Sequence, residues 1–386
     1  MSNFDEKLKK LKQEFPELTS DTVDLLIQQG TDISILDVRE KDELNSGMIE
    51  SAIHIPKSIL ELQVESELKD KEQEIVLVCG SGLRSLLAAE SLMQLGYTNL
   101  KSLFGGMQSW KEQGKPTIRP QMLDAESRQR YARHLLIPEI GESGQLKLLN
   151  SKVLLVGAGG LGSPCALYLA AAGVGTLGII DNDVVELSNL QRQIIHGESN
   201  LGQKKVKSAA SRIADLNASV NVVTYDVMLD ESNIDELFAE YDLIVDGCDN
   251  FNTRYLINDA CVKHKKPNVH GAVYRFDGYV TVFDQRKDGP CYRCLYPSAP
   301  PPELAPSCME AGVMGVLPGV IGMLQAVEAI KTLLDLGSQL NHKLLRYDAL
   351  ESEFFDLSVS RNHECEVCGD NAAPIKYQTQ YSQCLA

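Results

Sequence analysis

The sequence predicts an α/β protein in two parts: a small α/β unit, then a larger, doubly wound unit built on a parallel sheet. Three observations lead there. Short apolar runs of strand length alternate with stretches of helical period along most of the chain. A strand, a glycine-rich turn and a helix start succeed one another at Val153–Gly162. Between the two parts, Lys115–Ser127 carries two prolines and little periodicity. A chain of 386 residues has room for two or three domains of ordinary size.

The first part is read as residues 18–117. A charged helix precedes it and ends at Pro16. Thr19-Ser20-Asp21 caps an apolar-periodic stretch through Ile27. Ile33–Val38 and Ile75–Val78 read as buried strands, and Leu86–Leu95 as a helix closed by Gly96. Gly105-Gly106 breaks the chain before Met107–Trp110. Residues 118–127 are expected to be a linker. The second part, 128–372, opens its pattern with a strand at Val153–Val156, a helix at Ser163–Ala172 and a strand at Thr176–Ile180. A helix at Val206–Leu216 and strands at Val220–Tyr225 and Leu243–Val245 continue it. Strands alternating with helices imply the parallel, doubly wound sheet. Residues 373–386 are expected to be a flexible tail.

Composition narrows the function classes. Apolar residues make up 44% of the chain, enough for ordinary cores, and the formal net charge is −16. That balance argues against a nucleic-acid partner, which needs a basic footprint. The N-terminus is charged and lacks the apolar segment of a signal peptide. The apolar run around Val313–Ile321 is short and broken by glycine, so no membrane span and no membrane partner are expected. A cytoplasmic, reducing location is the resulting expectation, and the ten cysteines are poor disulfide candidates there.

Val76–Ser85 is an apolar strand, a glycine-rich turn holding Cys79, and a helix start carrying Arg84. Backbone N–H groups pointing into such a loop, with Arg84, are expected to lower the thiol pKa and hold an anion. A cysteine so placed can carry a persulfide; the alternative is a buried structural cysteine. A phosphatase cradle is a further alternative, but Val78 stands where that chemistry has a histidine, and Cys79 and Arg84 are one residue closer together. With Leu36–Glu40, Gly47–Pro56 and Phe104–Trp110, these residues resemble a single rhodanese domain over about a hundred residues. The chain departs from that pattern at Met48 and Ser51, where histidine and glycine are usual.

In Val153–Gly162 the glycines Gly157, Gly159, Gly160 and Gly162 form G-x-G-x-x-G after a strand, letting backbone approach phosphates at a helix N-terminus. Asp181 ends the next strand, placed to accept a ribose hydroxyl. Alone, this pattern points to NAD or FAD. The residues beyond Asp181 point elsewhere: Asn189 and Arg192 come next, then Lys204 and Lys205 at a helix start. Cations around a glycine loop suit a triphosphate whose pyrophosphate leaves. Lysines at a helix start are also ordinary solvated caps.

With Arg130–His134 and Asp246–Asn250, these motifs closely resemble the family of MoeB, ThiF and the ubiquitin-activating enzymes over about residues 127–370. The resemblance implies a Rossmann-like ATP-binding domain after a rhodanese-like one. It implies that Asp181 holds the ribose, that Asn189, Arg192 and Lys205 grip the phosphates, and that Asp249 coordinates Mg²⁺ beside Asn250. Arg133 would reach in from the other subunit of a homodimer, or else be a surface arginine.

Cys291-x-x-Cys294 and Cys365-x-x-Cys368 offer four thiolates, a set that favours tetrahedral Zn²⁺. Four protein ligands leave no open position, so the zinc would be structural and would pin the C-terminal part to the core. A redox dithiol is the alternative. Cys308 lies in a Pro-rich stretch that starts at Pro297, and either takes part in sulfur chemistry or only caps a loop. Cys165, Cys248 and Cys261 read as packing residues, and Cys384 falls in the tail.

The resemblance implies an activity that uses both parts. The chain would use ATP to adenylate the C-terminal glycine of a small ubiquitin-like sulfur carrier ending in Gly-Gly. A Cys79 persulfide would then supply sulfur to give a thiocarboxylate, with Cys308 as a candidate reductant. Thiosulfate or a cysteine desulfurase would load Cys79. Met309–Gly315 and Leu324–Lys331 look more like MoeB than ThiF, which favours the molybdopterin synthase small subunit as carrier. Sulfur delivery to thiamin thiazole, cysteine or tRNA thiolation is the alternative, an NAD-dependent oxidoreductase a more distant one, and a non-catalytic scaffold another. The order is unusual: bacterial MoeB lacks a rhodanese domain, and eukaryotic sulfurylases carry theirs last.

Overall fold

The computed structural model describes residues 3–119, 121–298 and 312–377; Cys308 and Cys384 lie outside them. The chain divides into two compact units, Met1–Met122 and Leu123–Ala386.

In the first unit, α1 (Asn3–Glu14), β1 (Glu17–Leu18), α2 (Ser20–Gln28), β2 (Ile33–Asp37) and β3 (Ala52–His54) are followed by α3 (Leu60–Glu67) and β4 (Glu74–Val78). α4 (Leu83–Gln94), β5 (Leu100–Leu103) and α5 (Gly106–Glu112) complete it. The strands form one parallel sheet in the order β1-β5-β4-β2-β3. Successive side chains of a strand face opposite sides. Leu36, Ile75 and Leu77 therefore pack with Leu86 and Leu92 on one face, while Ile35, Val76 and Val78 pack with Val23, Met107 and Trp110 on the other. A sheet covered on both faces needs unbroken apolar strands, which is why these runs do not alternate. Thr19 caps α2 by accepting the Thr22 N–H at 3.3 Å. α4 starts at Leu83, three residues before its apolar period begins, because Gly82 (φ 87°) ends the preceding loop directly against it.

Residues 118–127 are not free chain throughout. Ile118 exchanges backbone hydrogen bonds with Met48 at 2.8 and 2.9 Å, and Asp124 caps α6 (Ala125–Arg130) by accepting the Ser127 N–H at 2.7 Å.

The second unit continues with α7 (Ala132–Leu135), α8 (Gly141–Asn150), β6 (Lys152–Val156), α9 (Gly162–Ala172), β7 (Thr176–Ile180) and α10 (Lys205–Leu216). Next come β8 (Asn221–Tyr225), α11 (Ile234–Ala239), β9 (Leu243–Asp246), α12 (Phe251–His264), β10 (Asn268–Tyr274) and β11 (Asp277–Phe283). α13 (Tyr292–Leu295), α14 (Leu317–Leu334), β12 (Lys343–Asp348) and β13 (Glu353–Ser358) close it. Eight strands make one sheet in the order β13-β12-β11-β10-β9-β6-β7-β8.

From β10 to β8 every pairing is parallel, as the alternation of strands and helices implies. From β10 to β13 every pairing is antiparallel, so the sheet is mixed rather than wholly parallel. Helices cover both faces. Leu155, Leu169, Ile213 and Ala326 share one core cluster, which places α9, α10 and α14 on one side. Leu154, Ile244, Phe238 and Ile257 share another, which places α11 and α12 on the opposite side.

α14 is the one described helix long and apolar enough to cross a membrane, a length the sequence pattern did not assign to this region. Its apolar window is 61% buried within the fold. It lies close over the sheet because β10 presents no side chain at Gly271, where a Cβ would meet the Gln325 amide at 2.5 Å. That amide donates to the carbonyls of Asp246 and Val269 at 2.8 and 3.0 Å, tying α14 to the ends of β9 and β10.

Candidate functional site

β6 and β9 are neighbours in the sheet, yet α9 leaves one face and α12 the other. Such a reversal opens a crevice at the carboxyl ends of the strands, the usual ligand position in an open α/β sheet. A cleft is found there, lined among others by Gly157, Gly159, Gly160, Asp181, Arg192, Gln193, Lys205, Asp249, Asn250 and Arg254.

The glycine loop is tight for steric reasons. Gly157 holds φ 101°, and a Cβ there would lie 2.9 Å from the Gly247 carbonyl. A Cβ on Gly162 would lie 2.0 Å from the Gly157 carbonyl oxygen. Asp181 ties the loop to β7: its two carboxylate oxygens accept the N–H groups of Ala158 and Asp183, each at 2.9 Å.

The cations are arranged around that loop. Lys205 is 6% exposed and reaches Asp183 at 2.8 Å; Lys204 points away and bonds the Asn182 carbonyl and Asp226. Only the second of the two adjacent lysines therefore lines the cleft. Arg192 lines it too, steadied by the Ser188 carbonyl at 3.0 Å. On the far side, Asp249 and Asn250 are exposed at the start of α12, where Asn250 caps the helix by accepting the Thr253 N–H at 2.9 Å.

Not every expected residue meets there. Asn189 is buried below the cleft rather than lining it, and its side-chain oxygen accepts the Glu186 N–H at 3.1 Å. It shapes the turn that carries Arg192. Gly162 begins α9 without lining the cleft, and Arg133 is exposed on α7, away from it.

Three residues of the site were not singled out from sequence. Among the described residues, the side-chain oxygen of Gln193, 4% exposed, and the Nε of Arg254, which lines the cleft, have no hydrogen-bond partner; the Arg254 NH2 group donates to the Cys248 carbonyl at 3.1 Å. His196 is buried behind the glycine loop. Gln193 stands next to Arg192 and Arg254 comes four residues after Asn250, so their only sequence signal was adjacency to motif residues.

Below the cleft, the buried His270 Nδ1 donates to Asp246 at 2.7 Å. Burial pushes the Asp246 carboxyl up, but the His270 hydrogen bond and the charge of Arg254 more than offset it, leaving the carboxyl below its ordinary value. Burial holds His270 below the ordinary imidazole value, so the pair is carboxylate and neutral ring. Cys248 donates its S–H to Asp246 at 2.8 Å, and burial first, then that carboxylate, pushes its thiol well up. The thiol in the cleft wall is therefore protonated at neutral pH and a poor nucleophile.

Cys291, Cys294, Cys365 and Cys368 bring their sulfurs within 4.8 Å of one another. Three of the separations are 3.7, 3.3 and 3.9 Å. Zinc–sulfur bonds of about 2.3 Å in a tetrahedron require sulfurs about 3.8 Å apart, so the set fits zinc. The Asn362 N–H donates to Cys294 Sγ at 3.3 Å, and Arg361 holds the Cys368 carbonyl at 2.7 Å. Such outer contacts orient the ligands.

In the first unit Cys79 is fully buried at the end of β4. Its sulfur accepts the Gly82 N–H at 3.1 Å and lies 3.5 Å from the Ser85 hydroxyl. The N-terminus of α5 holds the loop from behind, with Met107 and Gln108 donating to the carbonyls of Cys79 and Gly80. Arg84 departs from expectation. Its guanidinium makes two hydrogen bonds of 2.6 Å to Glu43, so its charge is shared with a carboxylate beside the sulfur loop.

A phosphate-sized glycine loop at one strand end and an acidic loop at its neighbour make the second unit a nucleotide-binding α/β domain. Residues 131–367 match the ThiF family, and the chain belongs to that family. Residues 19–113 match the rhodanese-like domain.

Among similar proteins is the SAMP-activating enzyme E1 of Haloferax volcanii, 49% identical over 68% of this chain and 97% of its own. The sulfur carrier protein adenylyltransferase of Thermus thermophilus is 50% identical over 64% of this chain and 92% of its own. The adenylyltransferase and sulfurtransferase MOCS3 of Mus musculus is 46% identical over 66% of this chain and 55% of its own, so the match spans about half of that relative. Among solved structures, E. coli MccB with ATP superposes with a TM-score of 0.55 at 24% identity, covering 64% of this chain and 77% of that one; the likeness is one of fold.

Proposed function

We propose that this chain adenylates the C-terminal glycine of a small ubiquitin-like sulfur carrier and then delivers sulfur to it from a Cys79 persulfide. The observation that carries the reading is the convergence of the glycine loop, Arg192, Lys205 and Asp249 on one cleft in a chain that also holds a rhodanese-type cysteine loop. The names of the relatives, a sulfur carrier protein adenylyltransferase and an adenylyltransferase and sulfurtransferase, support it.

The chemistry is set by the groups present. A carboxylate does not accept a sulfur nucleophile at neutral pH. Its oxygen attacks the α-phosphorus of ATP, and pyrophosphate leaves. Arg192 and Lys205 face that departing charge, and fixed cations in a cleft stabilise it without reorganising. The loop amides receive the phosphates at the start of α9. Asp181 receives the ribose. Asp249 would hold Mg²⁺, which supplies charge neutralisation on the phosphates. The terminal sulfur of the Cys79 persulfide attacks the acyl carbon, AMP leaves, and an acyl disulfide joins carrier to Cys79. A thiolate, for which Cys308 is the candidate, attacks the Cys79 sulfur of that disulfide. A Cys79–Cys308 disulfide forms and the carrier leaves as a thiocarboxylate.

The four-cysteine cluster is assigned to structural zinc. The sulfur donor is thiosulfate or a cysteine desulfurase, the assembly a homodimer whose partner supplies Arg133, and the location cytoplasmic. The molybdopterin synthase small subunit is the preferred carrier, with carriers for thiamin thiazole, cysteine or tRNA thiolation as alternatives. Thiocarboxylate formation on a panel of Gly-Gly-ending carriers, read by mass spectrometry, tests the full sequence of steps. A Cys79→Ala protein that still forms the acyl-adenylate but no thiocarboxylate supports it. Thiocarboxylate formation without Cys79 contradicts it.

A further inference from the structure

His196 comes just after the Arg192 turn and is 8% exposed, with both ring nitrogens engaged. Nε2 lies 3.0 Å from the Ala158 carbonyl and Nδ1 2.9 Å from the Ser208 hydroxyl. A carbonyl only accepts, so Nε2 carries the hydrogen. In a neutral ring Nδ1 is then an acceptor, and Ser208 donates to it.

The two partners belong to different parts of the cleft. Ala158 lies within the glycine loop, and its N–H is already held by Asp181. Ser208 lies on α10, three residues after Lys205, on the same side of the helix. The charged groups facing the ring are Lys205 and Asp181. Burial lowers the imidazole pKa first; the Ala158 hydrogen bond opposes it, Lys205 adds to it, and Asp181 opposes it, leaving the value below the ordinary one.

We propose that His196 is a positioning residue for ATP: its neutral ring locks the Gly157–Gly162 loop to the helix that carries Lys205, so that loop amides and lysine meet the triphosphate as one rigid unit. The proposal rests on the reading of this cleft as the ATP site. It goes beyond that reading by giving the precise setting of loop and lysine to a residue that touches neither phosphate nor carrier. Loosening such a support acts on affinity and geometry rather than on the chemical groups themselves.

The test is ATP affinity by calorimetry on the full chain, with carrier-dependent pyrophosphate exchange alongside. His196→Gln places an amide where Nε2 was and keeps the Ala158 bond; His196→Asn keeps only the Ser208 side. Each variant cuts one end of the lock, so both are expected to bind ATP about 10-fold more weakly, with the KM for carrier unchanged in both. Wild-type affinity should fall as pH drops below the ordinary imidazole value of 6.5, and the Gln variant should lack that limb. Wild-type ATP affinity in either the Asn or the Gln variant overturns the proposal while leaving the ATP site standing. Should the Asn variant not fold, Ser208→Ala decides: weaker ATP binding with unchanged carrier KM supports the lock, and unchanged ATP binding overturns it. No ATP binding by the wild-type chain overturns the reading of the cleft and the lock together.

Discussion

Arg84 is closed onto Glu43 by two hydrogen bonds of 2.6 Å, across 41 positions of sequence, instead of onto Cys79 five residues before it. The side-chain hydrogen bond from Arg84 leads in holding the Glu43 carboxyl below its ordinary value. Both side chains are 38% exposed, so solvent screens the pair and its contribution to stability is about 1 kcal/mol or less. Its consequence is for charge at the loop: Glu43 partly offsets the arginine that would attract an anionic donor.

Glu43→Gln is therefore expected to improve the use of thiosulfate. The KM for thiosulfate in a thiosulfate:cyanide sulfurtransferase assay should fall by about 3-fold or more, with little change in melting temperature. Arg84→Ala should raise it. An unchanged KM in Glu43→Gln would show that the ion pair has no influence on donor binding.

Removing one cysteine of the four-sulfur cluster is expected to release metal and unpin the chain around it. Cys368→Ser should lose close to one equivalent of zinc by elemental analysis and melt at a lower temperature. Sulfurtransferase activity of the separate N-terminal unit should persist. Full metal content in the variant would contradict a four-thiolate zinc site.

Acid sensitivity should begin with two histidines. Burial leads in depressing the pKa of both His196 and His270 below 6.5. An unfolded chain then binds more protons than the folded one as pH falls through 6.5, so stability is fully present above that value and is lost below it. The urea midpoint should drop between pH 7.5 and 5.5, and by less in His196→Gln. Carboxylates act lower: Asp235, held near 2 by Lys263, Tyr377 and His264 against the opposing effect of burial, loses its contribution only below 3.8. A flat midpoint from pH 7.5 to 5.5 would contradict the neutral-histidine assignment.

Gly271→Ala tests the contact that seats α14. The added Cβ would lie 2.5 Å from the Gln325 amide, which has hydrogen bonds to the carbonyls of Asp246 and Val269 to lose. A loss of about 1–3 kcal/mol is expected in chemical denaturation. Wild-type stability would mean that α14 shifts without strain.

These relationships also mark what a sequence shows and what it hides. β6, the glycine loop and α9 were legible because a buried strand, a turn and a helix start are contiguous and each has a local steric cause. The four cysteines were legible because metal ligation imposes spacing within each pair. The antiparallel β10–β13 half was not. Its first hairpin turns at Arg275 and Phe276, with Arg275 at φ 53°, where no glycine or asparagine announces a turn. Asn189 carries a motif position, yet its side chain serves the backbone of its own turn. Arg84 and His196 have partners set by tertiary contacts, Glu43 for one, Ala158 and Ser208 for the other, and no local pattern encodes them.

The adenylation step is tested most directly by ATP–pyrophosphate exchange with purified protein, Mg²⁺ and a panel of Gly-Gly-ending carriers, with Arg192→Ala and Cys79→Ala beside the wild type. Exchange should require a carrier, fall by about 100-fold or more in Arg192→Ala and survive in Cys79→Ala, because the cysteine acts after the adenylate forms. Absence of exchange with every carrier, or exchange that persists without Arg192, would contradict adenylation at this cleft.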